Sequence, residues 1–146
     1  PELIAPYAAQ FLKLIAQRNN RLVWGGMIAL STIAALRADE LFPHAAAIQK
    51  IMHAGSVITN DAGMKTLSSL AAHSEEYRQV LAPYLLERLA SARPVDAPRY
   101  AEVILPAMGK EEKAHFIGIL QKWVASAPAN RRKRLERTLK AAEAIG

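Results

Sequence analysis

A spaced repetition constrains this chain more than anything else in it. Acidic pairs recur at Asp39-Glu40, Glu75-Glu76 and Glu111-Glu112, 36 residues apart each time. The opening stretch "LIAPYAAQFL" returns loosely as "VLAPYLLERL", aligning Ile4-Ala5-Pro6-Tyr7 with Leu81-Ala82-Pro83-Tyr84. A third match sets "GGMIALSTIAAL" against "AGMKTLSSLAAH" and pairs Gly26, Met27, Leu30, Ser31 and Ala34 with Gly63, Met64, Leu67, Ser68 and Ala71. Self-similarity at a fixed period of this size marks supersecondary units that stack on one another. Carboxylates in a first helical turn are favoured by the helix macrodipole by about 0.3–1 kcal/mol. The acidic pairs therefore read as helix starts rather than as catalytic dyads.

Apolar residues recur at helical spacing almost end to end, and no segment alternates as a strand would. Eight helices are expected, at about 3–17, 21–37, 39–53, 57–72, 75–91, 97–108, 111–126 and 130–145. Their breaks have ordinary causes: Asn19-Asn20 and Gly55-Ser56 supply caps and turns, and prolines punctuate Arg93 to Pro98 and Ala127-Pro128. Paired in order, these helices make four hairpins of about 37 residues each, covering 2–37, 39–73, 75–109 and 111–146 of a single domain. One such hairpin cannot bury its apolar face alone, so the hairpins must stack. The expected fold is all-α, a right-handed α-α superhelix of about four hairpins.

Composition agrees. Hydrophobic residues make up 51% of the chain and aromatics only 6%, with Ala and Leu dominant. That balance suits close-packed helices and disfavours a β-sandwich. The absence of cysteine excludes a disulfide framework, a CxxC zinc site and a cysteine nucleophile. The most apolar run, Leu22 to Leu36, is interrupted by Gly25, Gly26, Ser31 and Thr32 and is short for a bilayer. With no signal-like segment, the expected setting is cytoplasmic, away from a membrane. The net charge of +6 is concentrated, since residues 130–146 hold six basic groups against two acidic ones.

In its layout the chain resembles the HEAT-repeat family of α-solenoids. The first repeat, "ELIAPYAAQFLKLIAQRNNRLVWGGMIALSTIAAL", places Pro6 where that family carries a proline in its first helix. Asn20-Arg21 falls at the polar turn, and Ala29, Leu30 and Ile33 fall in the Ala/Leu stripe of the second helix. Pro43 in "ELFPHAAAIQKI" and Pro83 repeat the mark, whereas "EEKAHFIGILQKWV" lacks it. The resemblance implies kinked outer helices, a concave face lined by second helices, and binding of proteins or peptides rather than catalysis, with armadillo-like or mixed α-α repeats as the alternative.

No catalytic constellation opposes that implication. Ser56, Ser68 and Ser69 have no base at a recognisable spacing, and Gly25-Gly26 sits within a helix rather than in a phosphate-binding loop. His44, His53, His73 and His115 form no HExxH, so neither a metal nor a cofactor is expected. Trp24 and Trp123 have no carboxylate within a turn after them, unlike the aromatic-plus-Asp arrangement of HEAT-like DNA glycosylases. The candidate binding residues are those at the starts of the second helices. They are Asn20, Arg21 and Trp24, then Asn60, Asp61 and Lys65, then Arg99, Tyr100 and Glu102, with Tyr100 or Arg21 as an exposed anchor. The expectation is a non-enzymatic scaffold that binds a protein or peptide along this face. The alternative is a nucleic-acid-associated protein using the basic run of Arg131, Arg132, Lys133, Arg134, Arg137 and Lys140. In that last helix Leu135, Leu139, Ala142 and Ile145 share the inward face, leaving Arg132, Lys133, Arg137 and Lys140 outward.

Overall fold

The computed structural model describes residues 1–146 and is all-helical, without strands. Helix α1 (Ala8–Ile15) follows a 3-10 turn at Ala5–Tyr7, and α2 spans Asn20–Ile33. Helices α3 (Ala38–Leu41) and α4 (Ala45–Ala54) are joined through a 3-10 turn at Phe42–His44 into one broken rod. Then come α5 (Val57–His73), α6 (Glu75–Ala90), α7 (Ala97–Ile104) with a 3-10 turn at Leu105–Ala107, α8 (Lys113–Ser126) and α9 (Ala129–Glu143). Counting α3 and α4 as one rod gives the eight helices expected. None is long and apolar enough to cross a membrane.

Local chemistry accounts for the boundaries. The Asn19 side chain accepts from the backbone N–H groups of Arg21 and Leu22 and caps α2. Ser56 caps α5 through Thr59 N–H, and Ser74 caps α6 through Tyr77 N–H. Each supplies an acceptor to one of the donors that a helix start leaves unpaired. Asp39 and Glu40 fall in the first turn of α3, and Glu75 and Glu76 in that of α6. Glu111-Glu112 differ, lying in the turn before α8; there Glu112 accepts from Gly109 N–H and approaches Arg78 at 3.7 Å.

The prolines behave less uniformly than their spacing suggests. Of Pro6, Pro43 and Pro83, only Pro83 lies inside an unbroken helix. Pro6 and Pro43 occupy the first turns of 3-10 segments, so they open α1 and divide α3 from α4 rather than kink a continuous helix. Lacking an N–H, proline is least costly in a first turn, where no intrahelical bond is lost.

Helix α1 packs on α2, α3–α4 on α5, α6 on α7 and α8 on α9, each pair antiparallel in sequence order, while the most extensive packing of all is α5 on α6. The second helices α2, α5, α7 and α9 also touch one another in that order, and α6 touches α8. Helix α5 is central, contacting α2, α3, α4, α6 and α7. It is accordingly buried on most sides, through Thr59, Ala62, Met64, Thr66, Leu67, Leu70 and Ala71 among others. Thirty-four buried residues form one continuous apolar cluster along the chain. Two close approaches of one helix to another depend on glycine. A Cβ at Gly26 would stand 2.9 Å from Leu14 Cβ and 3.1 Å from the Phe11 carbonyl, and one at Gly63 would collide with Met52. Gly25 makes no such approach.

Candidate functional site

The second helices leave a groove of about 700 Å³ along their common face. Helix α5 contributes Lys65, Ser68, Ser69, Ala72 and His73, which share one side of the helix by their i, i+3, i+4, i+7, i+8 spacing. Ser31 and Ala35 border it from the α2 side, and Glu102, Val103 and Pro106 from the α7 side. The floor is made of small residues, and Lys65 and His73 stand eight residues apart, about 12 Å along α5.

The groove's ionisable groups are held unequally. Lys65 is exposed and belongs to no ion pair. Glu102 receives two parallel bonds from Arg134, Nε to Oε2 at 2.6 Å and Nη2 to Oε1 at 2.7 Å. Those bonds hold its carboxyl below the usual carboxylate range, against the opposing effect of burial. At the far end, Tyr77 Oη donates to Asp39 Oδ1 at 2.6 Å, and His73 Nε2 lies 3.5 Å from the same oxygen. Tyr77 also stacks on Phe42 and on His73. Its phenol is pushed up to about 12, chiefly because the neutral hydroxyl is the donor to Asp39.

The nine candidate binding residues go to five different places. Lys65 and Glu102 border the groove. Asn20 and Trp24 line a separate cleft of about 250 Å³ between the first two hairpins, together with Val23, Ile51 and Thr59; Arg21 is simply exposed. Asn60, Asp61 and Arg99 form a bonded polar belt. Asn60 Nδ2 donates to the carbonyls of Met52 and Ser56, and its Oδ1 accepts from Arg88 Nη2 at 2.8 Å. Arg99 Nη2 donates to Asp61 Oδ1 at 3.0 Å and to Asp96 Oδ1 at 2.7 Å, while Arg93 Nε donates to Asp96 Oδ2 at 2.6 Å. These groups join α5, α6 and α7 to each other.

Tyr100 corrects the expectation of an exposed anchor. It is 5% exposed, in the core beside Ala97, Ala101 and Ile104, and burial pushes its phenol upward. The apolar stripe of α7 continues through it, so its ring is packing rather than contact surface.

The basic run of α9 is also divided. Arg134 is taken by Glu102, and Arg132 Nη2 donates to the Ala127 carbonyl at 2.9 Å. Arg131 is half-buried, while Lys133, Arg137 and Lys140 are exposed and unpaired. Leu135 and Ala142 are buried and Leu139 and Ile145 half-buried on the inward face.

Ser69 and His73 were not among the candidates, although "KTLSSLAAH" carries them at helical spacing, and neither was Ser31 of α2. No hydrogen bond connects Ser68 or Ser69 to His73, and no three His, Asp or Glu side chains are grouped to hold a metal ion. Trp123, half-buried, donates its indole N–H to the Leu89 carbonyl at 3.0 Å, tying α8 to α6. Compared with protein-family models, curated proteins and solved structures, the chain matches none of them.

Proposed function

We propose that this chain is a non-enzymatic interaction module, a short HEAT-like right-handed superhelix that binds a polypeptide along its second helices. One observation carries the reading: the groove is assembled from three successive hairpins, by residues of α2, α5 and the α7 segment together. A site shared by repeats suits an elongated ligand, because each repeat adds a shallow contact. Its small-residue floor admits a backbone, and unpaired Lys65 suits an acidic side chain on the ligand. Glu102, already neutralised by Arg134, offers little charge of its own.

Selection from a library of extended acidic peptides tests this reading. Enriched peptides should lose binding with Lys65→Glu and with Ala72→Trp, which fills the groove from an exposed position. Thermal unfolding should stay within about 0.5 kcal/mol of the parent, as for other surface substitutions. Undiminished binding by both variants would remove the groove from the mechanism.

A nucleic-acid reading rests on Lys133, Arg137 and Lys140, which project from α9 without carboxylate partners. It expects duplex binding at low salt that weakens steeply as salt rises, and that Lys133→Glu with Arg137→Glu abolishes. No shift at low salt would end it.

A further inference from the structure

Helix α2 has two apolar faces, and the chain uses one. Gly26, Met27, Leu30 and Ile33 are buried within the chain. About 110° around the helix from them run Leu22, Gly25, half-buried Ala29 and Thr32, continued by Leu36 in the following turn. Their steps of three, four, three and four residues are those of a coiled-coil seam. Leu22 is 43% exposed, Leu36 50%, and Ile28 beside them 49%. Thr32 directs its hydroxyl to the Ala29 carbonyl at 2.8 Å, so the seam has its polar group satisfied. Exposed large apolar residues concentrate here: of the chain's ten, Leu3, Ile4, Tyr7, Leu22, Ile28 and Leu36 fall within the first 36 residues. At the other end, α9 turns Arg132, Lys133, Glu136, Arg137 and Lys140 to water. The outer face of α9 is thus polar, whereas that of α2 is apolar.

Gly25 sharpens the point. A glycine inside a helix costs about 0.5–1 kcal/mol relative to alanine. Gly26 has a reason, the close approach of α1, whereas nothing lies within 4 Å of where a Gly25 Cβ would be. No contact within the chain requires Gly25. A second helix crossing the seam from outside would require it, because the backbone is bare there.

Charge indicates what that helix is. Lys13, Arg18, Arg21 and Arg37 are all exposed and in no ion pair, and Glu2 is the only carboxylate before Asp39. Two copies meeting seam to seam would set Arg21 against Arg21 if parallel and against Arg37 if antiparallel, and like-charge repulsion disfavours both. A bilayer surface would call for a face filled with Trp, Phe or Leu along its length, whereas Leu stands only at the two ends of this seam and its middle is Gly, Ala and Thr.

We propose that the Leu22–Gly25–Ala29–Thr32–Leu36 seam docks an amphipathic helix of a separate polypeptide, one with small apolar residues on its contact stripe and acidic residues flanking it. This surface is distinct from the α5 groove, and Ala72→Trp leaves it intact.

The test uses a fluorescein-labelled helical peptide of about three heptads, with Leu and Ala at its contact positions and Glu beside them, and a twin carrying Lys for Glu. Anisotropy should show saturable binding of the Glu peptide, weaker by at least about tenfold for the Lys twin and for Arg18→Glu with Arg21→Glu, a difference of about 1.4 kcal/mol. Gly25→Leu should abolish binding while its unfolding midpoint stays level or rises. Three results would overturn the proposal: no binding of the Glu peptide, equal binding of both peptides, or binding unchanged by Gly25→Leu. It would be overturned equally by sedimentation showing a dimer that Gly25→Leu dissolves, or by capture on phosphatidylserine vesicles with neither peptide bound.

Discussion

Adjacent glycines in α2 obey different constraints, and substitution separates them. At Gly26 an added methyl meets Leu14, Ile15 and the Phe11 carbonyl, and backbone cannot step aside cheaply. Gly26→Ala should therefore cost about 1–3 kcal/mol, read from urea unfolding, as overpacked sites do. Gly118 in α8 has open space where its Cβ would be, so Gly118→Ala should raise stability by about 0.5–1 kcal/mol. Acid titrates a second set of residues. The Asp96 carboxyl is held below its usual range by the Arg93 hydrogen bond, burial opposing and Arg99 assisting. Glu102 is lowered likewise by Arg134. A carboxyl that ionises more readily folded than unfolded stabilises the fold above its unfolded value, near about 4. That stability is lost as pH falls through the lower folded value. Thermal midpoints should thus be level from pH 7 to about 5 and drop below about 4, and Asp96→Asn should flatten the drop. Asp96→Ala at neutral pH should cost about 2 kcal/mol, since Arg93 and Arg99 lose a buried partner.

Among the elements, caps and the central helix carry the clearest expectations. Ser56→Ala and Ser74→Ala should each cost about 1 kcal/mol by removing an N-cap. Leu67→Ala, fully buried on α5, should cost about 2–5 kcal/mol by leaving a cavity among several helices. Element type and position were legible in the sequence, because caps, prolines and acidic first turns act locally and leave local marks. Asn19 and Ser56 are visible as such before any packing is known. What was not legible is which polar residue finds which partner. Asn60 and Asp61 read as a polar cluster awaiting a ligand, yet Arg88 and Arg99, 28 and 38 residues away in sequence, satisfy them. Tyr100 misled for a related reason: an amphipathic tyrosine on a short helix has no sequence mark for the side that neighbouring helices will cover. Two of the groove residues, Lys65 and Glu102, were found because the second-helix face was sought. Ser69 and His73 were passed over because they sit at the end of α5 rather than at its start.

At the scale of the molecule, cohesion is uneven along the chain. The inner hairpins have neighbours on both sides, whereas α1–α2 and α8–α9 each have one. Amide exchange should accordingly be slowest in α5 and faster in α1 and α9, as expected when stability comes from nearest-neighbour contacts. The two tryptophans fall in the outermost hairpins, Trp24 in α2 and Trp123 in α8. Replacing either with Phe leaves one reporter at one end, and non-coincident urea transitions for the two would reveal loosening from an end. A single coincident transition would mean that the four hairpins unfold as one.

Ser74 has a consequence for how such a molecule can change length. It ends α5 and begins α6 at once, a single extended residue serving as C-cap and N-cap with no linker beside it. One inserted residue there would turn α6 by about 100° about its axis, taking Leu81, Leu85 and Leu89 off the core and Val80 into it. The junction is therefore closed to small insertions and deletions. Growth at this position is quantised: a family of such chains could lengthen here only by whole hairpins, never by residues.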